Sequence, residues 1–220
     1  MTSNRLHRRA LHLGALAFLL APAPALAAPT VGFVEHFSAP GTNGWSSGAA
    51  NTNPGTGGFG GAGDGFLHIA RTGFAGQLGS RSTGAEYFGD WIAAGIAQVR
   101  LRLKDVGANQ NLEIHFCIGN AGNFWQYNPG FAPPENEWGT FMVDLTDSTS
   151  FTHIISFDGG GFARALRETD RILVRHDHAP FSQTPDVILG EFGLDEIELR
   201  ADPPVPARAA TWGAVKGLYR

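Results

Sequence analysis

The sequence predicts an all-β protein, an antiparallel β-sandwich of the jelly-roll type. Its 30 glycines and 13 prolines predict many short segments joined by tight turns, and its 16 phenylalanines can fill a core between two sheets. About nine runs alternate apolar and polar side chains, as half-buried strands do, whereas long helical periodicity is hard to find. We therefore expect one β-sandwich domain over residues 31–200.

The predicted strands follow one another at the short spacing typical of such a sandwich. The first strand begins near Val31, and residues 38–65 form a long loop rich in Gly, Asn, Thr and Ser. Further strands are predicted at residues 65–71, 76–81, 96–106, 111–119, 138–145, 152–157, 170–176 and 186–200. Residues 201–220 are predicted to form a proline-rich linker and a short tail.

The first 27 residues predict a secretory signal peptide. Three arginines form a basic start, Leu11–Ala21 form an apolar run, and Ala25-Leu26-Ala27 has the small-x-small pattern of a cleavage site. The apolar run is shorter than the ~20 residues that a membrane-spanning helix needs. We expect cleavage after residue 27 and a secreted, periplasmic or cell-surface protein without a membrane span.

The charged residues argue against nucleic acid and anionic membranes as partners. The chain has 16 Lys and Arg against 20 Asp and Glu, and Lys104 and Lys216 are its two lysines. Binding to phosphate groups depends on clustered basic residues, which this sequence lacks. Cys117 is the single cysteine, so an intrachain disulfide is impossible. We expect a sheltered, inert thiol there.

Both terminal strands place a carboxylate among apolar side chains. Glu35 shares its parity with Val31 and Phe33, and Asp195 shares its parity with Ile197. Burying an unpaired charge costs several kcal/mol, so each carboxylate needs a partner. The sequence indicates a cation shared by the two strands, and the alternative is that each carboxylate pairs with an arginine or caps a turn.

A second group of side chains fits sugar recognition, which needs aromatic platforms beside polar groups. Residues 123–128 are predicted to lie in a connection rather than in a strand, where two aromatic rings could serve as platforms. Alternatively, those rings pin the connection to the sandwich. The predicted ligand-binding residues are Trp91, Arg100, Glu113, His115, Trp125, Tyr127 and Arg175.

Two glycine-containing segments carry a resemblance to a known group. Tyr87-Phe88-Gly89-Asp90-Trp91 and the segment 190–197 resemble bacterial relatives of the laminin domain IV (laminin B) group, which is similar to carbohydrate-binding modules with a galactose-binding-like jelly roll. The resemblance implies a structural calcium that ties the first strand, a following loop and the last strand together. By position, its ligands would be Glu35, Asp64 and Asp195. Oxygen-rich sites of this kind suit Ca²⁺.

These expectations combine into one functional hypothesis with two alternatives. The sequence favours an exported, non-catalytic module that binds carbohydrate and contains structural calcium. One alternative is an extracellular matrix or adhesion protein that binds other matrix components. The other is a jelly-roll polysaccharide lyase or glycosidase, for which no motif fixes a catalytic geometry. Its site would draw on Glu113, His115, Tyr127, His176 and His178.

Overall fold

The computed structural model describes residues 28–46, 48–73, 76–107 and 111–202. The predicted signal peptide and nearly all of the predicted linker and tail lie outside these residues. The described chain folds into two antiparallel sheets that pack as a sandwich, which confirms the predicted all-β class. None of its helices is both long enough and apolar enough to span a membrane.

The first sheet has six strands and contains both ends of the domain. Its strands follow the order β2-β3-β11-β5-β8, and β1 pairs with β11, so the first and last strands are neighbours. Their bounds are β1 Val34–Glu35, β2 Ala50–Thr52, β3 Leu67–Arg71, β5 Gln98–Asp105, β8 Gly139–Asp144 and β11 Gly190–Arg200.

The second sheet has five strands in the order β4-β10-β6-β7-β9. Their bounds are β4 Gly79–Ser82, β6 Ile114–Gly119, β7 Asn123–Tyr127, β9 Phe151–Ser156 and β10 Arg171–His176. A short helix α1, Phe162–Arg167, packs beside β6 and β7. Two 3-10 turns lie at Ala85–Tyr87 and Ser148–Ser150.

The core lies between the two sheets and follows from strand alternation. In β5, Val99, Leu101 and Leu103 are fully buried, while the intervening basic residues are partly exposed. From the second sheet, Phe116 and Val174 join the same buried cluster. Removing this apolar surface from water provides the main driving force for packing one sheet on the other.

The segment 123–128 corrects one prediction, because most of it is strand β7 rather than a connection. Trp125 faces the core side, whereas Phe124 and Gln126 face away from it. The short strand β2 also lies inside the segment predicted as a loop. Strands of three to five residues between glycines and asparagines give too little alternation to be recognised from sequence.

A β-bulge in β11 corrects the predicted parity of the last strand. The pairing with β5 shifts between Asp195 and Glu198, so β11 contains one extra residue there. Glu196 adopts a positive φ of 41° at this point. The extra residue reverses the alternation, so that Leu194 and Ile197 both face the core and Asp195 faces outward.

Candidate functional site

Glu35 is buried on the core side of the first sheet and is held by protein donors. Its Oε2 accepts a hydrogen bond of 2.8 Å from the indole Nε1 of Trp45 and a second from the hydroxyl of Tyr87. Burial raises the pKa of Glu35 from 4.5 to about 7, because the charged form loses its hydration. Trp45 and Tyr87 can donate to Glu35 whether its carboxyl group is charged or protonated. These two donors therefore occupy the position that a cation was expected to fill.

Asp195 lies on the outer face of the same sheet, beneath the glycine-rich loop. Its Oδ2 accepts a hydrogen bond of 2.7 Å from the backbone N of Phe59, and its Oδ1 accepts one of 2.8 Å from the backbone N of Glu196. Asp64 shapes the same loop, since its carboxylate accepts hydrogen bonds from Ser38 Oγ at 2.7 Å and Gly60 N at 2.8 Å. Burial also raises the pKa of Asp195.

The structure therefore does not bring the three predicted calcium ligands together. Asp64 and Asp195 support one loop, but Glu35 lies on the opposite face of the sheet, among core side chains. Across the described ranges, no group of three or more His, Cys, Asp or Glu side chains is placed to hold a metal ion. The three residues therefore cannot hold one calcium ion together, and a calcium site on this sheet would involve Asp64 and Asp195 without Glu35.

The three aromatic rings predicted as sugar platforms all pack in or against the core between the two sheets. Trp91 is 0% exposed, and its Nε1 donates a 2.9 Å hydrogen bond to the carbonyl of Tyr87. Trp125 is partly buried and stacks on His153 with the ring centroids 4.2 Å apart. Tyr127 is buried in the core cluster. These positions correct the sugar-platform assignment and favour the alternative that the rings pin the strands together.

Arg100 is also separate from the other predicted ligand-binding residues. It lies on the outer face of the first sheet, where its Nε is 2.9 Å from Oε2 of Glu198 on the neighbouring strand. Glu113, His115 and Arg175 belong to the second sheet or to its edge. No single ligand could therefore contact the whole predicted set.

The outer face of the second sheet contains a groove that combines apolar and polar side chains. It consists of two depressions of about 190 and 110 Å³, which share Leu173 and Arg175 in their walls. Residues on paired strands place their side chains on this one face, as Arg81 and Leu173 do across β4 and β10. The larger depression is lined by Arg81, Asn120, Phe124, Ile154, Ile155, Arg171, Leu173, Arg175 and Gln183.

Arg175 supports one wall of this groove and is not free to bind a ligand. It is 3% exposed, and its Nε donates to Gln126 Oε1 at 2.7 Å. Its Nη2 lies 2.8 Å from Asp177 Oδ2 and also donates to the carbonyl of Ser182, while its Nη1 donates to the carbonyl of Gln183. The guanidinium thus ties β7 to the segment that follows β10.

Two other polar groups in this region keep unused hydrogen-bonding capacity. The side-chain Nε of Arg81 and the Nε2 of Gln126 are both buried atoms without a hydrogen-bond partner. The Gln126 amide is fully buried, and its Oε1 is already occupied by Arg175 and by the thiol of Cys117. Native structures rarely leave such donors unpaired, so each calls for an acceptor.

The thiol of Cys117 is sheltered, as expected. It is fully buried beside Gln126, and burial raises its pKa to about 12, because the thiolate would lose its hydration. A thiol of this kind remains protonated at neutral pH. Cys117 therefore packs beneath the groove and is not a nucleophile.

A cluster of histidines and carboxylates lies at one end of the second sheet. Glu113 Oε1 is 3.3 Å from His115 Nε2, and Glu113 Oε2 is 3.7 Å from His178 Nε2. His178 Nδ1 is 3.3 Å from Asp186 Oδ2. His115 itself is fully buried, with its ring against Phe181. These contacts hold the segment after β10 against the sheet, and Glu113 and His115 are not among the side chains that line the groove.

Among the described residues, Tyr127 does not give this cluster the tyrosine hydroxyl that a lyase-type site would use. Tyr127 contributes its backbone carbonyl, 2.9 Å from His115 Nδ1, while its ring packs between Phe141 and Phe151. His176 accepts a hydrogen bond from the backbone N of Glu113 at 3.1 Å, and burial lowers its pKa. The hydrogen bonds of these groups are directed to the protein rather than to a common open point.

A larger cavity of about 830 Å³ lies at another end of the sandwich, between α1 and the end of β11. Its walls come largely from apolar side chains such as Ile92, Leu145 and Phe162, and it opens beside Ala201 and Asp202, where the described chain ends. Sugar recognition needs several converging polar groups, and the groove on the second sheet supplies more of them.

Sequence reasoning missed most of the groove. Arg175 is the one predicted ligand-binding residue in its wall. A signal was present in β10, where Arg171, Leu173 and Arg175 alternate with core residues. The other signal, Phe124 and Gln126 alternating with Trp125, was hidden by the assignment of that segment to a connection.

Comparisons with known proteins identify the fold of this chain but do not assign it to a family. No family model matches the sequence, and no curated protein matches it. A family 11 carbohydrate-binding module from Clostridium thermocellum, solved in complex with a β-1,3-1,4-mixed-linked tetrasaccharide, matches with a TM-score of 0.52 and 18% identity over 78% of this chain and 97% of that chain. An exo-β-agarase matches with a TM-score of 0.55 and 12% identity over 77% of this chain and 24% of that chain.

The fold is thus the jelly-roll sandwich that carbohydrate-binding modules also adopt. A second structure of a family 11 module matches with a TM-score of 0.50 and 21% identity, over 79% of this chain and 97% of that one. The laminin domain IV resemblance has no support from these comparisons and stays an expectation. At these identities, similarity shows shape and not ligand.

Proposed function

We propose that the protein is an exported, non-catalytic carbohydrate-binding module whose glycan lies in the groove on the second sheet. The observation that carries the proposal is the combination of an apolar floor with polar wall residues in one open groove, among them Arg81, whose Nε has no hydrogen-bond partner among the described residues. Phe124, Ile155 and Leu173 form part of that floor, and Arg81 and Asn120 lie among the polar residues of its walls. A pyranose ring offers C–H faces to such a floor and hydroxyl oxygens to such donors.

The groove chemistry supports binding rather than cleavage. Most glycosidases hydrolyse the glycosidic bond with two carboxyl groups about 5–9.5 Å apart on either side of it. No Asp or Glu occurs among the described residues that line either depression. The carboxylates nearest to the arginines, Asp170 and Asp177, are engaged in ion pairs with them.

The proposal includes export from the cell but does not need calcium for ligand binding. Export rests on residues 1–27, whose sequence has the features of a signal peptide. Calcium is not needed for ligand binding in this proposal, because Asp64 and Asp195 lie at the outer face of the first sheet and the groove lies on the second. Any calcium bound there would be structural.

Titration with soluble oligosaccharides tests the proposal. We expect isothermal titration calorimetry to detect binding of at least one oligosaccharide from a panel of neutral and acidic plant, algal and bacterial glycans. Leu173→Gln, in the groove floor, should weaken that binding about tenfold, since it replaces an apolar contact with a polar group. Met142→Gln is the matched control, because Met142 is exposed on a strand of the first sheet. Equal affinities for both variants would place the ligand elsewhere.

A further inference from the structure

The charges that line the groove differ in sign from those of the chain as a whole. The chain has a formal net charge of −4, yet the larger depression is lined by Arg81, Arg171 and Arg175 and by no described carboxylate. Positive charge here is therefore a local property of the groove. Low-dielectric walls of one charge sign concentrate the field that a bound ligand experiences.

Two of the three arginines already have carboxylate partners. Arg171 makes a two-point contact with Asp170, at 2.6 Å from its Nε and 3.1 Å from its Nη2. Arg175 pairs with the buried carboxylate of Asp177 at 2.8 Å. Each of these two pairs is close to neutral. The Arg171–Asp170 pair stabilises the start of β10, and the Arg175–Asp177 pair stabilises the segment after β10.

Arg81 is the arginine whose charge is not balanced. It has no ion pair within the described ranges, and its Nε is a buried atom without a hydrogen-bond partner. A partly desolvated guanidinium is unfavourable unless an acceptor meets it, and a negatively charged acceptor compensates best. A sugar hydroxyl would satisfy the hydrogen bond but would leave the charge unbalanced.

We propose that the groove selects glycans that carry negative charge, with Arg81 binding a carboxylate or sulfate group of the ligand. This inference rests on the proposed function and narrows its ligand to one chemical class. The planar guanidinium can donate two parallel hydrogen bonds to either group. The sugar ring beside that charged group would then lie on the apolar floor near Leu173 and Phe124.

Paired ligands that differ only in charge test the inference. Oligogalacturonate is compared with its methyl ester, and a sulfated galactan oligosaccharide with its desulfated form. We expect the charged member of one pair to bind at least tenfold more tightly than its neutral counterpart, and the preferred pair distinguishes carboxylate from sulfate. A neutral member that binds as tightly as its charged counterpart in both pairs would overturn the charge selectivity while leaving carbohydrate binding intact. Absence of binding to all four ligands and to a neutral mixed-linkage glucan tetrasaccharide would overturn both proposals.

Variants of Arg81 identify the residue responsible. Arg81→Gln should lower affinity for the charged ligand about tenfold to a hundredfold, the range expected for a lost hydrogen bond to a charged group. It should lower affinity for the neutral ligand by a much smaller factor, because glutamine keeps a donor for a sugar hydroxyl. Arg81→Lys should restore part of the loss. Arg164→Gln on α1 removes the same charge from an exposed site outside the groove and should have no effect. Equal losses for Arg81→Gln and Arg164→Gln would contradict a specific role for Arg81.

Discussion

The carboxyl group of Glu35 shows how a single buried residue can make the stability of the whole domain depend on pH. Its pKa is raised from 4.5 to about 7, chiefly by burial, although hydrogen bonds from Tyr87 and Trp45 lower it in part. A raised folded-state pKa means that the folded protein holds a proton that the unfolded chain releases. The stabilising contribution is therefore fully present below pH 4.5 and is lost as the pH rises through about 7.

Glu35→Gln should remove this pH dependence. Relative to the variant, the wild-type protein should lose about 3 kcal/mol of unfolding free energy between pH 4.5 and pH 8, since each pKa unit corresponds to about 1.4 kcal/mol. Glutamine keeps an oxygen that can accept from Trp45 and Tyr87. Urea unfolding at several pH values measures the difference, and Glu137→Gln, at an exposed position, is the control. Parallel pH profiles for wild type and Glu35→Gln would contradict the buried-carboxyl interpretation.

Strand β7 illustrates how alternation assigns opposite roles to neighbouring residues. Phe124 belongs to the groove face, whereas Trp125 contacts the core cluster, stacks on His153 and lies against Phe162. We predict that Trp125→Ala lowers the free energy of unfolding by about 2–3 kcal/mol, as expected for a large side chain that is mostly buried. The same variant should leave glycan affinity unchanged.

Chemical denaturation and ligand titration of the same preparation separate the two effects. Met142→Ala provides a control for stability, because truncation of an exposed side chain should cost less than about 0.5 kcal/mol. A Trp125→Ala protein that keeps full stability and loses glycan binding would show that Trp125 is a sugar platform after all. That result would reverse the assignment of the two faces of β7.

Most strands could be predicted from the sequence, but β2, β7 and the arrangement of the site could not. Strands such as β5 and β10 were predicted within a few residues because their apolar and polar side chains alternate clearly. The neighbouring positions of the first and last strands were also expected, and β1 does pair with β11. The bulge at Glu196 was missed although the sequence carries its mark. The apolar residues change from even positions, Phe192 and Leu194, to odd positions, Ile197 and Leu199, on either side of the bulge.

At the scale of the whole molecule, the two sheets divide their outer faces between different tasks. The first sheet covers its outer face with the glycine-rich loop and with ion pairs such as Arg100–Glu198. The second sheet leaves open a groove that extends from β4 and β10 to β7 and β9 and is bordered by the segment after β10. Charged groups on the outer face of the first sheet are therefore largely engaged in ion pairs or covered by the loop. On the outer face of the second sheet, the charge of Arg81 has no partner among the described residues. Ligand binding is proposed on this second face.

The same division leads to a prediction about divalent cations. Removing them with excess EDTA should leave the thermal midpoint unchanged, because Glu35 and Asp195 face opposite sides of the first sheet and each accepts hydrogen bonds from protein donors. An ion bound specifically to the native state would raise the midpoint by mass action. Differential scanning calorimetry, first with EDTA and then with excess calcium, measures this directly. A midpoint that rises with calcium would instead identify a site around Asp64 and Asp195, and Asp64→Asn should then abolish the rise.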